Sequence, residues 1–291
     1  MQRPNSSPSS SGFIPGTSAP EPESIRPPAS TRPESPPARK LPGISAVIIT
    51  FNEEEHIAEC IESAWFCDEI LVVDSHSTDR TREIALVYGA RVINRDWPGF
   101  RSQKQFAVDA AAHDWVLSLD ADERVTPKLR AEIEALRESS FAGLAGASMR
   151  RRMWYFGSPL RFGTPSPDRL ARLFDRRFGG WHGRQVHEYT RVEGRVAHLK
   201  GRLHHYPYRN YQHQLDKLER YATLMAEEMA AEGRRGSLAR VVVNPLWCFL
   251  RGFGMRLGFL DGWRGLVFAF TEAGYVREKY MKLYLKTRRP R

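Results

Sequence analysis

Two aspartates, Asp120 and Asp122, stand one residue apart at the end of an apolar run that begins at residue 116. Residues i and i+2 of a strand share a face, with their Cα atoms ~7 Å apart. Carboxylates at the end of a buried strand are costly unless they bind a cation or accept hydrogen bonds from a ligand. Because divalent cations prefer oxygen ligands and often carry phosphate groups, the pair predicts a site for a metal-held diphosphate.

The elements that must position this pair alternate along the chain from residue 44 onward. Short apolar runs without polar alternation predict strands at 45–50, 69–74, 91–94 and 114–119, each buried on both faces. Helical patterns separate them, including one over 99–112, and Thr126 followed by Pro127 predicts the start of a further helix. Strands separated by helices in this way predict right-handed βαβ units and a mainly parallel sheet.

Polar side chains follow three of the predicted strands. They are Thr50 with Asn52, Asp74 with Ser75, and Asp120 with Asp122. Because ligands bind at the carboxyl ends of the strands in such a sheet, we expect these side chains to line one site. For Asn52 and for Ser77 or Thr78, capping of the following helix is an alternative that the sequence leaves open.

Three segments together resemble a known family of enzymes. They are IITFNEE at 48–54, VVDSHSTDRT at 72–81 and LDADE at 119–123. In this order and at these strand ends, they are similar to the motifs of family-2 glycosyltransferases over roughly residues 44–200. The segments GFRSQKQFA at 99–107 and QVHE at 185–188 further resemble the branch of lipopolysaccharide inner-core β-1,4-glucosyltransferases that act on a heptose.

The resemblance implies an α/β protein with the GT-A fold, a Rossmann-like and mainly parallel sheet, followed by a helical C-terminal extension. It also implies roles in binding a UDP-sugar donor. The base would be contacted by Thr50, Asn52 and Glu53, the uracil or ribose by Asp74, the ribose by Asp120 and the diphosphate by Lys104. Asp122 would hold the Mg²⁺ or Mn²⁺ cofactor.

The catalytic base that the resemblance implies is Glu188, since the Glu-Asp motif that many relatives use is missing here. A carboxylate is the usual group to take the proton of an attacking acceptor hydroxyl. One base without a protein nucleophile implies a single displacement with inversion, so that UDP-α-glucose would yield a β-glucoside. A surface salt bridge is the alternative role for Glu188. His187 is assigned a structural role, and one of His204 and His205 is a candidate third metal ligand.

A run of arginines beside aromatic residues suggests an acceptor site. Arg150, Arg151 and Arg152 adjoin residues 153–156, and Arg161, Arg169 and Arg172 follow in what the Gly and Pro content predicts to be a loop. Arginine side chains bind phosphate and carboxylate groups, and aromatic faces suit sugar rings. We therefore predict that Arg169 and Arg172 bind a phosphorylated, acidic acceptor. A solvated basic loop is the alternative.

The ends of the chain differ from its middle. Residues 1–42 hold eleven of the nineteen prolines and no apolar periodicity, which predicts a disordered tail without a secretory signal. The GT-A domain is predicted at 43–207, and the three cysteines, without metal spacing, fit reduced thiols in the cytoplasm. These patterns predict a bacterial enzyme in the cytoplasm, at the inner face of the inner membrane.

The region 208–291 is predicted to be helical and basic. Residues 210–232 form one long helical pattern, and the last nineteen residues carry seven basic side chains against one acid. The longest uncharged run, 241–250, has ten residues, whereas a transmembrane helix needs about 20. We expect peripheral membrane contact through this region. The alternative is a helical hairpin that packs on the catalytic domain or on a second copy.

Other functions fit the sequence less well. The net charge of +10 would suit a nucleic-acid-binding protein, but no zinc, helix-turn-helix or RNP signature accompanies it, so no nucleic-acid partner is predicted. A sugar nucleotidyltransferase would need a glycine-rich loop where this chain has residues 50–55. A glycosyltransferase with a peptide or protein acceptor stays open. The predicted partner is a lipid-linked or core oligosaccharide, best a lipopolysaccharide inner-core heptose.

Overall fold

The computed structural model describes residues 41–164, 169–183 and 188–288. Its main sheet has the strand order β3-β2-β1-β4-β8-β6-β11-β5, with β7 added at the end of β6. The bounds are β1 Ile44–Thr50, β2 Glu69–Asp74, β3 Arg91–Asn94, β4 Trp115–Asp120, β5 Glu123–Val125, β6 Gly146–Tyr155, β7 Ser158–Pro159, β8 Arg169–Asp175 and β11 Val196–His205. Two further strands, β9 Gly179–Gly183 and β10 Glu188–Val192, pair with each other.

The four predicted strands form the parallel half of this sheet. β1 pairs in parallel with β2 and with β4, and β2 pairs in parallel with β3. Apolar side chains cover both faces, with Ile48 in the cluster on one side and Val47 in the cluster on the other. This burial explains why the runs lack polar alternation. The predicted α/β architecture with a mainly parallel sheet core is confirmed.

Short helices connect the strands of this half. They are α1 Ile57–Ser63, α2 Thr81–Val87, α3 Phe100–Asp109 and α4 Pro127–Glu138. Helix α4 begins as predicted, because the Thr126 hydroxyl accepts a hydrogen bond from the Leu129 amide and Pro127 occupies the first turn. Helix α3 is shorter than the predicted 99–112.

The arginine-rich segment is part of the second half of the sheet, in which β8 pairs antiparallel with β4 and β6 while β6 pairs in parallel with β11. Arg150, Arg151 and Arg152 lie in the middle of β6, and both Arg169 and Arg172 lie in β8. The prediction of a loop was therefore wrong. Cross-strand partners on β4, β6 and β11 hold these residues in the sheet, with register shifts at 147–148 and 198–202. No local pattern of apolar residues predicts this pairing.

Helices make up the rest of the chain. They are α5 Tyr211–Ala231, α6 Leu238–Phe249, a π-helical turn Leu250–Met255, a 3₁₀ turn Gly258–Asp261 and α7 Gly262–Thr287. The Asn210 side chain caps α5 by accepting from the His213 amide, close to the predicted start at residue 210. Among the described residues, no helix combines the length and the apolar character needed to cross a membrane. The predicted tail at 1–42 falls almost entirely outside the described residues.

Candidate active site

The carboxyl ends of β1, β2 and β4 bring the predicted polar side chains together. Thr50 lies beside Asp74 in the parallel register of β1 and β2, and Ile49 lies beside Asp120 in that of β1 and β4. The three strand ends therefore meet at one edge of the sheet, as expected for a ligand site of this fold. The Thr50 hydroxyl is buried there and has no hydrogen-bond partner among the described residues.

The loops after β1 and β2 are tied to each other by side chains. A carboxylate oxygen of buried Asp74 accepts from the Ser77 amide at 2.8 Å, and the Ser77 hydroxyl accepts from the Asn52 amide at 2.8 Å. The Asn52 side chain in turn accepts from the Thr78 amide at 2.8 Å. Asn52, Ser77 and Thr78 are therefore not helix caps, because α1 and α2 begin several residues later.

Asp122 is buried in a pocket of basic side chains. One of its carboxylate oxygens lies 3.3 Å from His205 Nε2 and 3.5 Å from Lys217 Nζ, while the other has no hydrogen-bond partner within the described ranges. Burial opposes the charge of this carboxylate, but His205 and Lys217 outweigh that penalty and hold its pKa well below the usual range. Asp122 is therefore charged at neutral pH, with a buried free oxygen to offer.

These residues fit a divalent cation that is shared with a substrate. Within the described ranges, no three His, Cys, Asp or Glu side chains are close enough to hold a metal ion. Mg²⁺, however, usually takes one or two protein carboxylates and completes its coordination with substrate phosphates and water. The free Asp122 oxygen suits such a partial site. His205, the nearer of the two predicted histidines, adds an imidazole 3.3 Å from Asp122.

Asp120 belongs to a second cluster that contains both predicted basic and acidic groups. Lys104 Nζ lies 3.0 Å from Asp120 and 2.9 Å from Glu188, and the lysine is itself almost fully buried. Burial opposes the charge of Asp120, but Lys104 and Arg172 hold its pKa well below the usual range. Lys104 therefore contacts both Asp120, which is predicted to bind the sugar donor, and Glu188, the predicted base. The two acids are 68 positions apart in the chain.

Arg172 lies in this cluster and not with Arg169. Arg172 is 3% exposed and donates to Asp120 at 3.0 Å and to Glu123 at 2.9 Å. Arg169 is exposed and donates to the carbonyl oxygens of Ser148 and Leu199. The two side chains therefore have different partners, and acceptor binding by Arg169 and Arg172 stays a prediction.

Glu123 was missed although it completes the LDADE segment. Its carboxylate is fully buried, accepts from the Asp120 amide at 3.1 Å and binds Arg172. It therefore fixes both the backbone of Asp120 and the arginine beside it. Its position next to the aspartate pair was a usable signal, because an acid that close to a buried strand needs a cationic partner.

Two residues of the C-terminal part were missed and had no local signal. Arg209 donates to the Asn52 carbonyl oxygen, and its guanidinium lies 3.7 Å from Glu53. Lys217 on α5 reaches Asp122. Burial and the nearby Asp122 raise the pKa of Glu53 to about 7, while Lys217 and Arg209 oppose that rise. The segment after the sheet thus closes one side of the site.

An aromatic side chain borders the basic residues. The indole of Trp181 on β9 lies 4.6 Å below Lys104 Nζ and 5.2 Å from the Arg172 guanidinium. Cations over an aromatic face are held there by the ring quadrupole. Glu188 begins β10, and the preceding residues of the predicted QVHE segment, including His187, lie outside the described ranges.

Known proteins resemble this chain over most of its length. The family model "Glycosyl transferase family 2" matches residues 45–185. The lipopolysaccharide core biosynthesis glycosyltransferase LpsC of Rhizobium meliloti (strain 1021) is 32% identical over 256 residues, which cover 83% of this chain and 94% of that protein. The uncharacterized glycosyltransferase RP128 of Rickettsia prowazekii (strain Madrid E) is 31% identical over 243 residues, covering 78% and 83%.

A solved structure also aligns with part of the chain. It is glucosyl-3-phosphoglycerate synthase from Mycobacterium tuberculosis in complex with Mn²⁺, UDP-glucose and phosphoglyceric acid. The TM-score is 0.32 at 26% identity, and the alignment covers 40% of this chain and 45% of that one. The parallel strand order, the motifs at the strand ends and the extended similarity to LpsC agree with one another. The chain belongs to glycosyl transferase family 2 and is a glycosyltransferase with the GT-A fold.

Proposed function

We propose that this enzyme transfers a sugar, best glucose from UDP-glucose, onto a lipopolysaccharide inner-core heptose or a similar lipid-linked glycan. The single observation that carries the donor half is the meeting of Thr50, Asp74 and Asp120 at the carboxyl edge of the parallel strands, beside Asp122. The acceptor half is supported by the similarity to LpsC, whose name assigns it to lipopolysaccharide core biosynthesis.

In this proposal Asp122, assisted by His205, holds Mg²⁺ or Mn²⁺, and the uridine part of the donor contacts Thr50, Asn52, Glu53, Asp74 and Asp120. The bound cation supplies charge stabilisation for the leaving diphosphate. Lys104 is buried between Asp120 and Glu188, so it can turn its ammonium group to a phosphate oxygen when the donor enters. Because a phosphate oxygen would replace a carboxylate, the positive charge of the buried lysine would keep an anionic partner.

Glu188 is proposed to take the proton of the acceptor hydroxyl. Its carboxylate is partly exposed and lies 2.9 Å from Lys104, at the edge of the cluster that Lys104 and Asp120 form. Once Lys104 turns to a phosphate, the carboxylate is free to accept a proton. One base and no nucleophile correspond to direct displacement with inversion at the sugar carbon, so an α-linked donor yields a β-linked product.

The C-terminal helices are proposed to contact the cytoplasmic face of the membrane. Large apolar side chains are exposed along α6 and the turns that follow it, among them Val242, Leu246, Phe259, Leu260 and Trp263. Exposed apolar surfaces of this kind are typical of sites that bind other molecules or lipid. Membrane contact through this surface would bring the enzyme to a lipid-linked acceptor, because the sugar of such an acceptor lies close to the bilayer.

The donor assignment is tested by UDP release from a panel of UDP-sugars, with and without heptose-containing core lipid, in Mg²⁺ and then in EDTA. We expect release that needs UDP-glucose, the core lipid and the metal. Glu188→Gln should abolish turnover and retain UDP binding by calorimetry. Full activity of this variant would remove Glu188 from the mechanism.

Flotation with anionic vesicles tests the membrane contact. We expect the wild-type protein to float and the variant Val242→Ser/Leu246→Ser to remain in the lower fractions. The matched control is Leu86→Ser, which removes an exposed leucine on α2 far along the chain from the C-terminal helices. Equal flotation of the two variants would contradict a membrane contact through α6.

A further inference from the structure

Basic side chains occupy two neighbouring rows on the part of the sheet that β8, β6, β11 and β5 form. In the first row Arg150 on β6 lies directly opposite Arg169 on β8 and opposite Arg202 on β11. In the second row His204 on β11 lies opposite Arg152 on β6 and opposite Arg124 on β5. Because residues two apart on a strand share a face, the two rows form one surface, here called the arginine face.

The first row contradicts the usual rules of strand pairing. Like charges directly opposite each other in a sheet are destabilising, and neighbouring strands lie only about 4.8 Å apart. Arg150 and Arg202 are exposed, and neither has an ion pair with a carboxylate in the part of the chain that the structure describes. Departures from local rules without internal compensation are expected at functional sites.

The second row contains buried donors that lack acceptors. Arg152 is 9% exposed and uses one nitrogen to donate to the Leu160 carbonyl oxygen, but its Nε has no partner in the described part of the chain. Trp154 Nε1, two residues further along β6, is also buried and has no partner among the described residues, and the same holds for one terminal nitrogen of Arg124. All three unsatisfied atoms are N–H donors, so the group that would satisfy them is an acceptor, and an anion suits the charge.

The acids near this face compensate it only in part. Arg124 pairs with Glu59, and the Asp261 carboxylate accepts from the amides of Arg161 and Phe162. Burial lowers the pKa of Arg152, and the neighbouring Arg202 and Arg161 lower it further. This direction agrees with an excess of positive charge on the arginine face.

Aromatic rings stand at the end of the face. Trp154 lies 5.3 Å from the His204 ring and is stacked 5.6 Å from Tyr206, and Phe156 just beyond is stacked 6.3 Å from Trp263. Trp263 belongs to the exposed apolar surface of the C-terminal helices and is 56% exposed. A ligand with anionic groups, sugar rings and a lipid would therefore meet arginines, aromatic faces and apolar side chains in that order.

We propose that the arginine face binds the phosphate or carboxylate groups of the anionic glycolipid acceptor. The proposal rests on the proposed function and gives the acceptor a site separate from Asp120 and Asp122. Guanidinium groups bind such oxyanions with two parallel hydrogen bonds, and several in a row match a ligand with several charges. The anion also removes the repulsion between Arg150 and Arg202.

The test uses the full chain with Arg150→Gln/Arg202→Gln, since both side chains are exposed and their loss should leave the fold intact. The matched control is Arg82→Gln/Arg130→Gln, which removes two exposed arginines of α2 and α4 that are not part of the arginine face. The first probe is inorganic tripolyphosphate in metal-free buffer, measured by calorimetry. We expect about tenfold weaker binding for the first variant and an unchanged affinity for the control.

Transfer kinetics form the second part of the test. We expect the first variant to raise the KM for core lipid about tenfold and to leave kcat and the KM for the UDP-sugar unchanged. An unchanged tripolyphosphate affinity would overturn the proposal. An unchanged acceptor KM together with reduced flotation on phosphatidylglycerol vesicles would also overturn it, because the face would then bind membrane headgroups. If the enzyme uses no UDP-sugar at all, the proposed function is wrong. The tripolyphosphate affinity still tests anion binding by the arginine face.

Discussion

Arg172 and Arg150 lie on adjacent strands of the same sheet, in contrasting surroundings. Arg172 is 3% exposed and pairs with Asp120 and Glu123, although its Nε and one terminal nitrogen have no partner among the described residues. Arg150 is exposed, and its cross-strand partners are Arg169 and Arg202. The protein supplies carboxylates around Arg172, whereas the residues opposite Arg150 are further arginines.

The energetic consequences of the two arrangements also differ. A buried ion pair loses most of its Coulomb attraction to desolvation, but the removal of one partner leaves an uncompensated buried charge. The replacement of an exposed arginine beside other arginines leaves no buried charge unpaired and removes some electrostatic repulsion. The change in folding stability on mutation therefore distinguishes arginines that hold the site's carboxylates in place from arginines that would bind a ligand.

The largest expected effect is on the donor side. Arg172→Met should lower the free energy of unfolding by about 3–5 kcal/mol, because the fully buried Glu123 loses its closest cation. Urea denaturation measures this, with Arg150→Met as the control at an exposed position of the adjacent strand. Equal losses for the two variants would break the comparison.

The second expected effect concerns pH. The pKa of Glu53 in the folded protein is about 7, raised from an ordinary value of 4.5, so the folded state retains a proton that the unfolded chain releases. This contribution to stability is fully present below pH 4.5 and is lost as the pH rises through about 7. Glu53→Gln should therefore stabilise the protein at pH 8 by about 1–3 kcal/mol and have little effect near pH 4.5.

Denaturant unfolding at pH 4.5 and pH 8 measures the Glu53 effect. Glu138→Gln, on the exposed end of α4, serves as the control and should show no such pH dependence. A Glu53→Gln variant that is equally stabilised at both pH values would mean that burial does not hold the proton on Glu53.

The smallest expected effect is on the arginine face. Arg150→Gln should be neutral or stabilising by about 0.2–1 kcal/mol, since it relieves cross-strand repulsion with Arg169 and Arg202. The gain should shrink as salt is added, because screening weakens interactions between exposed charges. Denaturant unfolding in 20 mM and 500 mM salt measures this gain in stability. A clear loss of stability would mean that Arg150 has a stabilising partner in the folded protein.

Much of the donor half followed from local patterns. The buried strands around Ile48, Leu71 and Leu117 were predictable because a strand covered on both faces must be apolar throughout. The polar residues at their ends were predictable because a parallel sheet aligns those ends. Helix capping was an open alternative for Asn52 and Ser77, and it is wrong, because these side chains bind the neighbouring loop instead.

The sequence by itself determined the parallel half of the sheet, the edge at which the carboxylates meet and the family to which the enzyme belongs. Only the tertiary structure decided which charges meet. Arg172 meets Asp120 because β8 pairs with β4, and Arg150 lies opposite Arg202 because β6 pairs with β11. Lys217 reaches Asp122 only because α5 packs beside the sheet. Such contacts join residues far apart in the chain, so no local pattern contains them.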